Sequence, residues 1–347
     1  LRLFNSPIGI WFEPKGYCIS LRIHPVFSIV AFAETRGEES YIRIVYMSAD
    51  RRKMIREQIL KQASIAPNMT FHRELPILAT ASGQLDCVLE FDTRHQSDKV
   101  TIYQLSIDGT CAAQQIAILV GHSSPVTAIS FCPNDSSRVA TGDNEGNIRI
   151  WDIHGSVDSV GSVGSVECIY FLRSPFLSKY SSSLYMISSM DWLNKTTLVA
   201  SHSNGVVNFI CDEQSENRFQ SRSSSLSRPY VLTCLKFHPS GKFFATCGYG
   251  KIQLRDSSSL EYRSILDDLM CDIFTIEFNS LGNLLIIGCL KEILIVKVSP
   301  NGDAMSLLAT QKIHNRYVVT VAVHTIGDES SVICGANGGA LALAMGI

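Results

Sequence analysis

The stretch Val126 to Ile153, VTAISFCPNDSSRVATGDNEGNIRIWDI, decides the fold. Val126-Thr127-Ala128-Ile129-Ser130-Phe131 alternates with period two, the spacing of a strand with one face turned inward. Cys132-Pro133-Asn134-Asp135 then breaks the run, because proline offers no N–H and asparagine and aspartate bond their own backbone in turns. A second apolar run follows, then the tight turn Asn144-Glu145-Gly146, then a third strand through Trp151-Asp152-Ile153. This is a sheet unit, and the helical period that a helical solenoid requires is missing.

The same phrase recurs along the chain. Ile19 to Tyr46 carries it with His24-Pro25 at the first turn and Gly37-Glu38-Glu39 at the second. Met69 to Leu105 repeats it with a longer second turn around Asp92 to Asp98, and further copies run Ser189–Ile210, Val231–Asp256, Phe274–Val298 and Val318–Met345. Successive first turns lie roughly 40 to 60 residues apart, near the spacing of one propeller blade with insertions. The expectation is therefore an all-β protein, one β-propeller of about seven four-stranded blades. The blades are expected at 13–64, 65–118, 119–165, 166–228, 229–268, 269–311 and 312–347 plus 1–12. The orphan segment Leu1 to Phe12 is expected to complete the last blade, which removes the open sheet edges of an unclosed ring.

Composition agrees with a buried core and narrows the partners. Of 347 residues, 46% are hydrophobic and 18% charged, which excludes global disorder. The net charge of −2, from 30 basic and 32 acidic residues, supplies no global field for a nucleic-acid backbone or an anionic membrane. No apolar run approaches the roughly 18 to 20 residues a membrane span needs; the strongest candidate, Leu284 to Val298, is broken by Lys291 and Glu292 and reads as two strands and a turn. Eleven cysteines are scattered singly, with no Cys-x-x-Cys pair, and read as reduced small hydrophobes of an intracellular protein, cytoplasmic or nuclear. On that reading the sequons at Asn68 and Asn194 are accidental. The chain starts at Leu1 with no charged-then-apolar leader, which reads as a segment cut from a longer chain.

Three segments depart from the apolar pattern. Gly155 to Val166 and Ser221 to Ser227 are polar and of low complexity, and read as loops. Added phosphate near Arg218, Arg222 and Arg228 would find partners there. Asp50 to Lys61 is rich in Arg and Lys and reads as an outer fourth strand with a charged edge rather than a basic helix.

The third unit, from Val120-Gly121-His122 to Ile150-Trp151-Asp152, resembles the WD-repeat family, with Gly-His at its start, then a Ser/Thr, a tight acidic-Gly turn and Trp-Asp at its end. The resemblance implies a buried hydrogen-bonded tetrad of His122, Thr141, Glu145 and Trp151, a structural device that pins the leading loop to the blade. Its chemistry is coherent, since a histidine both donates and accepts whereas an indole only donates. The fifth unit keeps Phe237-His238-Pro239-Ser240-Gly241-Lys242 and Phe244-Ala245-Thr246, with Arg255-Asp256 in place of Trp-Asp. The fourth has Ile210 at the Trp position, and the sixth and seventh keep only strand pattern and turn glycines such as Gly282 and Gly338. The resemblance covers the whole chain in pattern and one blade in motif, and no subfamily is identified.

No catalytic, cofactor or metal site is expected. No histidine stands at zinc-like spacing from another ligand, and His24, His72 and His238 recur at the turn after a first strand, which suits a structural role in each blade. Nucleophile-elbow, phosphate-loop and dinucleotide motifs are missing; Gly335-Ala336-Asn337-Gly338-Gly339 lacks the following Lys and reads as a hairpin turn. The Phe-Arg-Arg-Gly motif of phosphoinositide-binding propellers is absent, and Asp50-Arg51-Arg52-Lys53 matches it only in part.

The resemblance therefore implies a non-catalytic scaffold that binds peptide segments of other proteins within a multi-subunit intracellular assembly, touching nucleic acid only indirectly. Candidate contacts are Ser123, Ser124, Asp143, Asn144, His202, Tyr230 and Tyr249, polar or aromatic positions in leading loops and second turns. Trp192 is left between interface and core. Two further readings stay open: an RNA-associated subunit of an mRNA processing or export complex, and an enzyme whose site lies in the axial channel.

Overall fold

The computed structural model describes residues 9–12, 17–36, 39–48, 54–62, 68–82, 99–133, 135–154, 165–173, 185–212, 219–225, 231–267, 269, 271–289, 292–312, 318–326, 329–336 and 341–345. Among them are only strands and turns, and no helix is long and apolar enough to cross a membrane. The first sheet is β2 (Tyr17–Ile23), β3 (Ile29–Arg36), β4 (Glu39–Met47) and β5 (Met54–Gln62); the second is β6 (Met69–Phe71), β7 (Ile77–Ser82), β8 (Lys99–Gln104) and β9 (Gln114–Val120). The third holds β10 (Val126–Phe131), β11 (Arg138–Asp143), β12 (Ile148–His154) and β13 (Ser165–Leu172). The fourth holds β14 (Ile187–Asn194), β15 (Thr197–His202), β16 (Val206–Asp212) and β17 (Phe219–Ser225). The fifth is β18 (Leu232–Phe237), β19 (Phe243–Gly248), β20 (Lys251–Asp256) and β21 (Tyr262–Leu266), and the sixth β22 (Ile273–Phe278), β23 (Leu284–Cys289), β24 (Glu292–Val298) and β25 (Met305–Lys312). The last sheet joins β26 (Val318–Ile326), β27 (Glu329–Ala336) and β28 (Leu341–Met345) to β1 (Gly9–Phe12), which pairs antiparallel with β28.

Each sheet is antiparallel and wound in sequence order, and the apolar cores lie between successive sheets. Phe243, Leu254, Ile276, Leu285 and Val296 fill the space between the fifth and sixth sheets, while Trp151, Val139 and Phe131 meet Ile102, Ala117 and Leu119 of the second. Middle strands are consequently buried on both faces, as β11 and β19 are along their whole length. Outermost strands such as β25 and β13 are covered on one face at most. That gradient is why the sequence signal is strong in second and third strands and faint in fourth ones.

Two expectations about segments are corrected by this gradient. Ser221 to Ser227 reads as a loop, yet Phe219–Ser225 is the outer strand of the fourth sheet, paired from Asp212↔Phe219 to Val206↔Ser225. An outer strand needs no apolar period, so a serine run serves. The boundary between the third and fourth blades does not fall at 165/166, because Ser165–Leu172 is the fourth strand of the third sheet, with Ile150↔Tyr170 and Asp152↔Glu167 in register. Met54–Gln62 is an outer strand as expected, and Leu284 to Val298 divides into β23 and β24. The turns expected at Asp92–Asp98 and Asn337–Gly339, with most of Gly155–Val166, lie outside the described residues.

A bulge recurs where the first strand begins to pair with the second, between Cys18/Ser20, Val126/Ala128, Ile187/Ser189, Leu232/Cys234, Ile273/Thr275 and Val318/Thr320. An extra residue there leaves ladder groups open and re-aims the side chain. Thr127 uses it to donate to the Ile187 carbonyl of the next sheet at 2.7 Å.

Candidate functional site

The network of the third blade is complete, but its acid differs from the sequence expectation. Trp151 Nε1 donates to Thr141 Oγ1 at 2.7 Å, and Thr141 Oγ1 lies 2.7 Å from His122 Nε2. His122 Nδ1 lies 2.8 Å from Asp143 Oδ2. One proton arrangement satisfies every partner: indole N–H to hydroxyl oxygen, hydroxyl to Nε2, and Nδ1–H to carboxylate. Asp143 also accepts from the backbone N–H groups of Glu145 and Asn147 and from Asn147 Nδ2. Glu145 is half-buried in the turn, and its carboxylate takes a long contact from Asn147 Nδ2 at 3.4 Å and none from His122, Thr141 or Trp151. Strand parity explains the assignment. Thr141 and Asp143 are two apart at the end of β11 and share a face, whereas Glu145 has already left the strand.

Other blades tie the segment leading into the first strand to the end of the second strand by different chemistry. In the fourth, His202 is the last residue of β15, with Nδ1 donating to the Tyr185 carbonyl at 3.0 Å and Nε2 accepting from Asn208 Nδ2 at 2.7 Å. Ser223 of the outer strand completes the chain by donating to Asn208 Oδ1. Burial holds the His202 ring below its ordinary pKa, opposed by that carbonyl. In the fifth, Gly248 stands at this position because the Val231 carbonyl lies 2.3 Å from where a Cβ would sit. Thr246 then keeps the hydroxyl without a hydrogen-bond partner, and the Arg255 guanidinium lies over the Tyr262 ring at 3.7 Å.

The recurrent histidines bind blade to blade. His24 Nδ1 accepts the N–H groups of Val26 and Phe27 while Nε2 donates to Leu75 of the second sheet at 2.7 Å. His238 does the same with Ser240 and, across the gap, Gly282. His72 keeps the local turn bonds and sets its ring edge against Phe131 at 5.5 Å. Trp192 is core, donating through Nε1 to the Ser130 carbonyl of the third sheet at 3.2 Å.

The channel inside the ring, a cavity of about 500 Å³, is lined by the first strands. In four blades the residue before the last position of the first strand supplies Arg22, Ser130, Lys236 and Glu277, and Asp191 sits at the equivalent place before Trp192. Lys236 Nζ lies 3.4 Å from Glu277 and 3.9 Å from Asp191, so one ammonium links three blades. Those carboxylates, Asp191 first, push Lys236 up to about 12, while burial raises Glu277. Asp191 Oδ2 also accepts the Phe237 N–H at 2.9 Å. The channel carboxylates are thus engaged in holding blades together, and among the described residues no group of three or more His, Cys, Asp or Glu could hold a metal.

The expected contact residues divide accordingly. Asp143, His202 and Ser124 are buried and are not surface contacts, the first two because they are the ties just described. Tyr230 lies outside the described residues. Ser123 is exposed and Asn144 half-buried, with the Asn144 N–H bonded to the Pro125 carbonyl. Tyr249 is 77% exposed and stands beside Val231, 57% exposed, a residue the sequence reading passed over. The Tyr249 turn is held from two sides: Gly248 packs under Val231, and Gly250 exchanges hydrogen bonds with Leu269 and Cys271, which lead into the next blade.

The WD domain, G-beta repeat family matches residues 113–152 and 222–256, which include the third blade's network and the first three strands of the fifth. A 48-residue stretch is 40% identical to the denticleless protein homolog of Gallus gallus, spanning 14% of this chain and 7% of that protein. Over the whole ring the chain is similar to the crystal structure of RRP9 WD40 repeats, with a TM-score of 0.73 and 11% identity covering 99% of this chain and 98% of that one. The structure of U3-55K gives 0.72 and 11% over 98% of each chain. At such identity the solved structures speak for the fold alone, a β-propeller, and the family matches, with the His122–Thr141–Trp151 network, identify WD-type repeats in its third and fifth blades.

Proposed function

We propose that the chain is a non-catalytic platform inside the cell, holding peptide segments of partner proteins on the face built from leading segments and second turns. The observation that carries this is the pair Tyr249 and Val231, a large exposed aromatic beside an exposed aliphatic on a turn whose glycines are locked by neighbouring backbone. An aromatic anchored on rigid backbone loses little entropy on binding, which is why tyrosine is enriched where interfaces concentrate their energy. Ser123 and Asn144 supply polar contacts at the same end of the third blade. The eight cysteines whose side chains are described are free thiols, which fits a reducing compartment.

The test is affinity purification of the intact protein from its source cells, beside a Tyr249→Ala/Val231→Ser variant, with mass spectrometry of what co-purifies. A set of proteins held by the wild type and lost from a folded variant supports the platform. A folded, monodisperse wild type that retains the same proteins as the variant, or none, sinks it.

A further inference from the structure

In the sixth blade the tie between the leading segment and the second strand is made by sulfur. Cys289 is the last residue of β23, the place held by Asp143 in β11 and His202 in β15. Its Sγ lies 2.9 Å from Sγ of Cys271, in the segment that leads into β22. A disulfide needs about 2.05 Å between sulfurs, so closure asks for an approach of about 0.9 Å. We propose that Cys271 and Cys289 are a reversible redox pair, oxidised to a disulfide by a hydroperoxide.

The two thiols are differentiated as such a pair requires. Cys271 is half-buried and Cys289 fully buried, so a small oxidant reaches Cys271 first. The hydrogen bond shared by the two sulfurs holds the Cys271 thiol below its usual range, and the same bond, with burial, holds Cys289 far above it. Cys271 is therefore the attacking thiolate and Cys289 the resolving thiol. The Cys271 sulfur attacks the terminal oxygen of the hydroperoxide, the O–O bond breaks, and the alkoxide leaves with a proton as the alcohol. Cys271 is then a sulfenic acid. The Cys289 sulfur attacks it, the S–S bond forms, and hydroxide leaves with the Cys289 proton as water. Two thiols are oxidised and one peroxide is reduced to an alcohol and water.

Neighbouring cysteines mark the contrast. Cys234 and Cys247 face each other across β18 and β19 and their thiols also interact, with the Cys234 pKa lowered and that of Cys247 raised, but Cys234 Sγ donates to the Phe274 carbonyl at 3.1 Å, Cys247 Sγ contacts the Cys234 carbonyl, and Cys247 is buried. Cys111 is exposed, and its side chain contacts Thr110 rather than another thiol. Cys271 lies under the Tyr249 turn through the bond from Gly250 N to its carbonyl, so the disulfide would fix the support of that turn. The redox pair stands whether or not Tyr249 binds a partner.

The test uses the reduced full chain, treated with graded hydrogen peroxide, alkylated and digested without reductant for mass spectrometry. The expected product is a Cys271–Cys289 linked peptide, reversed by dithiothreitol and formed at doses that leave most Cys111 as thiol. With Cys289→Ser, dimedone should trap a sulfenic acid at Cys271; with Cys271→Ser, Cys289 should stay reduced. If wild-type Cys271 and Cys289 are both still alkylated at doses that largely oxidise Cys111, or if Cys271 links to a different cysteine, the proposal is overturned.

Discussion

His238 stacks on Phe243 at 4.2 Å between ring centroids and donates through Nε2 to the carbonyl of Gly282, 3.1 Å away in the next blade. A Cβ built on Gly282 would stand 2.0 Å from that Nε2, and Gly282 has φ +75°, where a side chain is strained. Gly282→Ala must therefore displace the histidine and strain its own turn. The expected loss is roughly 2–4 kcal/mol of unfolding free energy, read from the urea midpoint. A midpoint within experimental scatter of the wild type would show that this contact does not hold the fifth blade to the sixth.

The identity of the tetrad acid is open to direct measurement. Asp143→Ala strands the His122 N–H and three donors of the turn, and should cost roughly 2–4 kcal/mol. Glu145→Ala should cost less than about 0.5 kcal/mol, in line with a position outside the network. Trp151→Phe removes one donor from Thr141 and falls between them, at roughly 1–2 kcal/mol. Equal losses for the two acidic positions would contradict the geometry.

Acid should weaken the ring through three histidines. Burial lowers His72, His202 and His238, opposed at His72 by Glu74 and Asp135 and at the others by a backbone carbonyl. At pH 7.5, about one unit above the ordinary value of about 6.5, each ring is nearly all neutral in both states, so its contribution is nearly whole there. Below that, the unfolded chain binds the proton first, and stability falls by up to roughly 1.4 kcal/mol per pH unit for each histidine until the folded ring also titrates. Urea midpoints at pH 7.5, 6.5 and 5.5 should show a plateau and then a decline. A midpoint that rises on acidification would reverse the sign of this argument.

In the channel, Lys236→Met leaves Glu277 and Asp191 without their shared cation. Lys236 and Glu277 are about a third exposed, at 34% and 31%, so channel water screens the pair and the expected loss at pH 8 is about 1–2 kcal/mol. Glu277, already raised by burial, would rise further in the variant. A raised carboxyl binds its proton in the folded state first, so the gap to the wild type should narrow as pH falls toward 5.5. A gap that stays constant with pH would place the cost in lost packing.

Much of the architecture is readable from residues alone where burial imposes a pattern. β10, β11, β12, β19 and β23 announce themselves because both faces or one strict face must be apolar. Ser223 and its neighbours do not, because an outer strand packed on one side tolerates serine throughout. The tetrad histidine, hydroxyl and indole follow from their donor and acceptor capacities. Its acid was missed by matching a turn instead of counting strand parity from Thr141, which leads to Asp143. The same parity shows why Asp143 and His202 make poor surface candidates: each ends a strand buried on both faces. Val231 has no signal of its own, since what sets it apart is the close approach of its carbonyl to Gly248 on the adjacent strand, which sequence neighbours do not reveal.

The pairing of β1 with β28 sets a clock on folding. Gly9 lies opposite Leu343, nearly the whole described chain apart, so β1, made before the rest of the ring, is among the last of its strands to find a neighbour. Intermediate blades can stack as they are made, each against the one before. Until the carboxyl-terminal hairpin arrives, β26 and β27 present an unfinished sheet, and the amino-terminal strand waits without a partner. Contacts of such separation form slowly. The nascent ring therefore spends its synthesis time open, and closure is an event that follows translation of the last blade.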